Sequence, residues 1–157
     1  MHPLAALLLA VTTEASAFSA PAGWVRAEID AAHAAIAPQV RTIEAWVPDD
    51  PAKAKDELYY AVGDGGISLD AFAAEVKAAL PTGAVVGEDK AVTLCDGQAG
   101  RYLAFTTPTL AVDETIAVAG DFAAVARYER TAGSGEDPQA RSSLLALCPQ
   151  AETPPSD

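Results

Sequence analysis

Histidine is almost absent from this chain, which carries only His2 and His33. A metal centre built on several imidazoles is therefore excluded, and no metal site or cofactor is expected; beyond the N-terminal stretch, His33 is the one candidate general base. It sits in an Ala-rich segment with no evident partner nearby in sequence, so it reads as an ordinary surface or loop histidine. Cysteine is equally scarce: Cys95 and Cys148 stand alone, without the Cys-X-X-Cys spacing of dithiol redox chemistry. Cations are few, with 10 Lys and Arg against 22 Asp and Glu and a net charge of −12. Such a surface repels phosphate backbones and anionic headgroups, which argues against nucleic acid and lipid as partners. Because the acids are scattered in ones and twos, they read as a solvated surface rather than a patch for a basic ligand.

The N-terminus does carry an apolar run, Met1 to Val11. It falls well short of the roughly 20 residues that a membrane-spanning helix needs. Ala15-Ser16-Ala17 then places small residues where a signal peptidase requires them, so residues 1–17 are expected to be a signal peptide cleaved after Ala17. Its first segment lacks Lys and Arg, and the alternative is an apolar helix packed on the domain. No Cys follows the run, so a lipid anchor is not indicated. Residues 18–149 are expected to form one domain, and the polar, Pro-rich stretch 150–157 a disordered tail. Export, to a periplasm or the exterior, places Cys95 and Cys148 where disulfides persist, and with two cysteines their pairing is fixed.

Along the domain, Gly23 to Arg26 suits a first strand, and the Ala-rich stretch 27–37 has a local helical preference ended by Pro38. Val40 to Val47 alternates with period two, and Glu57 to Val62 is a second such run ended by Gly63-Asp64-Gly65-Gly66. A helix is expected from Leu69 to Leu80, capped by Ser68, with Leu69, Phe72, Ala73, Val76 and Leu80 on one face. Strands then follow at Val85-Val86, Ala91 to Leu94, Arg101 to Thr107, Glu114 to Ala119 and Phe122 to Arg130. Gly120-Asp121 between the last two suits a type II′ hairpin turn. Asp137-Pro138 opens a last helix whose inward face holds Ala140, Leu144, Leu147 and Cys148. The expected class is α+β, an antiparallel sheet of about six strands covered by helices.

Several of these landmarks, in this order, resemble the PsbP-like fold of small secreted bacterial domains, shared with the photosystem II extrinsic subunit P and a Ran-binding nuclear import factor. They are Gly23-Trp24, Glu44-Ala45-Trp46-Val47, the helix with Leu69, Phe72 and Val76, Cys95-Asp96-Gly97-Gln98-Ala99-Gly100, the strand Phe122 to Arg130, and Asp137-Pro138 leading to Leu147-Cys148. The resemblance implies a protein-binding domain and brings no common active site. The Ala-rich stretch 27–37 has no place in it.

Motifs for catalysis are thin, and no catalytic residue is assigned. Gly133-Ser134-Gly135 lacks the Gly-X-Ser-X-Gly of a nucleophile elbow, and Gly63-Asp64-Gly65-Gly66 lacks the Gly-Lys-Ser/Thr of a phosphate loop and reads as a turn needing positive φ. Asp49, Asp50 and Asp56 miss the spacing of a calcium loop. Trp24, Trp46, Tyr59 and Tyr60 remain: they are core if helices cover both faces of the sheet, whereas an outward-facing Trp46, Tyr59 and Tyr60 would form a candidate binding patch for a protein or small ligand. The functional expectation is an exported, non-catalytic accessory or protein-binding domain. A small hydrolase using carboxylate or Ser chemistry, or a carrier of an apolar small molecule, are the alternatives.

Overall fold

Alternating side chains and Gly- or Pro-marked turns build eight strands, where about six were expected. They are β1 Trp24–Ala27, β2 Ala35–Ala37, β3 Val40–Pro48, β4 Glu57–Asp64, β5 Val85–Thr93, β6 Ala99–Thr106, β7 Leu110–Ala119 and β8 Phe122–Thr131. Two α-helices accompany them, α1 Leu69–Ala78 and α2 Pro138–Leu145. The computed structural model describes residues 18–53 and 55–149; the expected leader and tail lie outside the described residues. All strands join one sheet in the order β1-β3-β4-β8-β7-β6-β5, with β2 paired to β3 outside that path, and every pairing is antiparallel. The α+β class and the antiparallel sheet are as the sequence implied.

Strand β8 lies at the centre, and its small residues explain how one sheet carries a helix on each face. Ala123 and Val125 point to the side of α1, where Phe72, Ala73 and Val76 pack with Ala61, Leu103 and Ile116. Ala124 and Ala126 point to the side of α2, where Ala140 and Leu144, with Leu147 just beyond the helix, meet Leu58, Tyr60 and Tyr128. Alanines on both faces let both helices approach closely and fill the space between. Ser68 caps α1 through the Ala71 amide, and Asp137 caps α2 through Gln139.

Four local readings change. The Ala-rich stretch 27–37 forms a 3-10 turn, Ala31–His33, and then β2, because hairpin pairing with β3 outweighs the modest helical preference of Ala. The alternation of β3 is broken by a register shift between Thr42 and Glu44, which leaves Ile43 exposed and buries the adjacent Ala45 and Trp46. Val85 to Thr93 is one continuous edge strand, its register shift lying between Val86 and Glu88. Helix α2 stops at Leu145, so Cys148 reaches Cys95 from the segment after it, with Cα atoms 5.3 Å apart in the disulfide. At the β7–β8 turn Gly120 has φ 62° while Asp121 stays out of the left-handed region, as a type II′ turn requires.

Trp46, Tyr59 and Tyr60 are 8%, 2% and 1% exposed, so they are core and form no surface patch. Helices on both faces, the adjoining segments and Phe18, which stacks on Tyr60 at 5.8 Å and tilts against Trp46 at 5.3 Å, bury them. Among the described residues no helix is long and apolar enough to cross a membrane.

Candidate functional site

Helix α1 covers one end of its face of the sheet, and the other end is polar. Register places Glu57 of β4 directly opposite Glu129 of β8, and Tyr59 directly opposite Arg127. Arg127 in turn faces Glu114 of β7. Two carboxylates opposed across a ladder repel each other unless cations lie between them. Here the cations are Arg127 from the sheet and His33 from the 3-10 turn that folds over it.

Asp30 makes that turn. Its carboxylate accepts from the His33 amide at 2.9 Å as an N-cap and contacts His33 Nδ1 at 2.8 Å. The Thr42 hydroxyl donates to the His33 carbonyl at 2.6 Å and ties the turn to β3. So anchored, the imidazole lies flat on Tyr59, ring centroids 4.7 Å apart, and brings Nε2 to 3.1 Å from Glu129 Oε1. The Tyr59 hydroxyl donates to Glu57. Arg127 donates through Nε to Glu114 and through a terminal nitrogen to Glu129 at 3.4 Å. Glu114 is fully buried, and its Oε1 has no hydrogen-bond partner among the described residues.

The electrostatics follow from this packing. Burial pulls the His33 imidazolium down, but the hydrogen bond to Asp30 and the charges of Glu129, Asp30 and Glu57 together hold it above its ordinary value. Asp30, in hydrogen bond with His33, is lowered. Burial raises the Tyr59 hydroxyl, and its bond to Glu57 raises it further. Burial also lifts Glu114 above the usual carboxylate range despite Arg127. Both nitrogens of the imidazole are thus engaged by carboxylates, and the arrangement is an ionic clamp between the turn and the sheet.

His33 is therefore not the isolated loop histidine that its sequence neighbours implied, and its partners Glu57 and Glu129 were invisible because they come from distant strands. Their two carboxylates and the His33 ring supply three ligating atoms within 4.8 Å of one another. The other motifs stay apart from this cluster. The amides of Gly65 and Gly66 are spent on the carbonyls of Asp121 and Gly120, both at 2.8 Å, and only Gly66 has the positive φ. Asp50 accepts from Ala52, Asp56 accepts from Tyr128 at 2.9 Å, and Ser134 donates to the Thr131 carbonyl. Cys95 and Cys148 form the expected disulfide. No family model matches the chain, and no curated protein does.

Proposed function

We propose that the chain is an exported, non-catalytic accessory domain of the PsbP-like kind that works by binding another protein. The observation that carries this reading is the filled interior: side chains occupy the layers between the sheet and both helices. Recognition then falls to the surface. Among the described residues the most exposed large apolar side chain is Val85, at 66%, and Val86 on the same strand is 43% exposed. Strand β5 ends the sheet and, among the described residues, pairs only with β6, so its outer amides and carbonyls offer a template for an extended segment of the partner.

The disulfide supports export, because such bonds persist in oxidising compartments. The two alternatives gain less. A carrier needs room where Leu144, Tyr128, Phe72 and Val76 pack, and a hydrolase needs a free base where His33 Nε2 already faces Glu129.

A photo-crosslinker placed at Val85 in exported protein tests the reading. A single partner joined at β5, and lost in the Val85→Lys/Val86→Lys variant at unchanged thermal stability, supports it; turnover in a hydrolase panel with no cross-linked partner overturns it. Mass spectrometry of the same material is expected to find Phe18 as the first residue.

A further inference from the structure

The polar end of the α1 face has a composition that a structural clamp does not need. Four carboxylates, those of Asp30, Glu57, Glu114 and Glu129, converge on two cationic groups, Arg127 and His33. Two of the acids, Glu57 and Glu129, oppose each other directly across the ladder. Glu114 is fully buried one register row away and keeps an oxygen without a hydrogen-bond partner among the described residues. A buried carboxylate oxygen left so is expensive, and an added positive charge nearby offsets part of that cost.

We propose that His33 Nε2, Glu57 and Glu129 form a binding site for one divalent transition-metal ion, zinc being the best fit. The inference goes beyond the protein-binding reading and stands whether or not a partner docks on β5.

Three features of the geometry carry it. The donor atoms already lie within 4.8 Å of one another, and His33 Nε2 is 3.1 Å from Glu129 Oε1. Bonds of about 2.0–2.2 Å set tetrahedral ligands roughly 3.4 Å apart, so side-chain shifts of about 1 Å close the set. Asp30 on Nδ1 is the carboxylate that orients a metal-binding imidazole, fixing its proton on Nδ1 and leaving Nε2 for the ion. Stacking on Tyr59 fixes the ring plane, and the Tyr59 hydroxyl holds Glu57 in the same place. The donor set selects the ion as well: one imidazole nitrogen with two carboxylates suits zinc, whereas calcium and magnesium prefer oxygen alone and more of it. On binding, the ion takes the place of the Nε2 proton, which leaves to solvent, and three protein ligands leave one position for water.

The test is titration of the metal-free full chain with zinc chloride by calorimetry, with calcium and magnesium chloride in parallel. One equivalent of zinc is expected to bind, with neither alkaline-earth ion competing at tenfold excess. His33→Gln and Glu129→Gln are expected to abolish the event, and Asp30→Asn to weaken it by roughly 10–100-fold. Because a variant can fail by unfolding, copper(II) bound to the wild-type chain is read by electron paramagnetic resonance. Coupling to one imidazole nitrogen, retained in His2→Ala, supports the site. No zinc binding at millimolar concentration, binding that survives His33→Gln, or copper coupling lost in His2→Ala overturns it.

Discussion

His33 lies flat on Tyr59, with planes 9° apart and ring centroids at 4.7 Å, so a residue of the turn and a residue of the fourth strand share one buried aromatic contact. The stack holds the imidazole where Asp30 and Glu129 reach its two nitrogens. Removing only the Tyr59 hydroxyl in Tyr59→Phe keeps the stack and deprives Glu57 of a donor, for an expected loss of about 1 kcal/mol. Tyr59→Ala removes the stack as well and is expected to cost about 3–5 kcal/mol. Urea denaturation gives the two energies, and the proton resonances of the His33 ring report its release in the second variant alone.

Arg127 lies between Glu114 and Glu129 and pairs with both. Arg127→Met leaves the buried Glu114 carboxylate uncompensated, and the expected destabilisation near neutral pH is about 3–5 kcal/mol. Burial already raises Glu114, so its ionisation costs stability only above the ordinary carboxylate value of 4.5. The deficit of the variant should therefore shrink as the pH is lowered and Glu114 becomes neutral. Denaturation curves at neutral and acid pH check this, and a deficit that grows on acidification would contradict it.

Asp89 on the edge strand ties α1 to the sheet, with Lys77 at 2.7 Å and Arg101 at 2.5 Å. Hydrogen bonds from Lys77 and Arg101 hold its carboxyl below the ordinary 3.8, so their stabilisation is complete above that value and is lost as the pH falls through the lowered one. These groups are partly solvated, and Asp89→Asn is expected to cost only about 0.5–1 kcal/mol near neutral pH. The gap to the wild type should close below the ordinary carboxylate range and narrow in high salt. Thermal melts across pH and ionic strength measure both trends.

The Cys95–Cys148 bond spans 53 residues of sequence and joins the β5–β6 turn to the segment after α2. On the chain-entropy account, closing a loop of that length stabilises the fold by about 4 kcal/mol. Denaturation of the Cys95→Ser/Cys148→Ser variant, compared with the wild type under oxidising conditions, should recover most of that difference, and reductant should reproduce it. Free thiols at both positions in protein purified without reductant would contradict the bond and weaken the proposal of export.

Glu57 and Glu129 show where sequence reading stops. Each sits in a run whose alternation marks a strand, and β4 and β8 were recognisable from it. What joins the two carboxylates is the pairing of β4 with β8, strands separated by a helix and three other strands, and local periodicity carries no term for that. Alanine in 27–37 fails as a guide for the same reason: its helical preference is a few tenths of a kcal/mol per residue, less than β2 gains by pairing with β3. Tyr60 and Trp46 lie on the side of the sheet that Phe18 and α2 close over, a cover that the periodicity of a single strand does not foretell.

The sequence by itself determined the α+β class, most strand positions, the Ser68 and Asp137 caps, the Gly120-Asp121 turn and the identity of the disulfide partners, because each depends on residues close in the chain or on a count of two. Tertiary structure alone decided that His33 meets Glu57 and Glu129, that Glu114 is buried against Arg127, and that Trp46, Tyr59 and Tyr60 are core. Those contacts depend on strand order and on which face each helix covers, and both are set by packing energies summed over the whole domain.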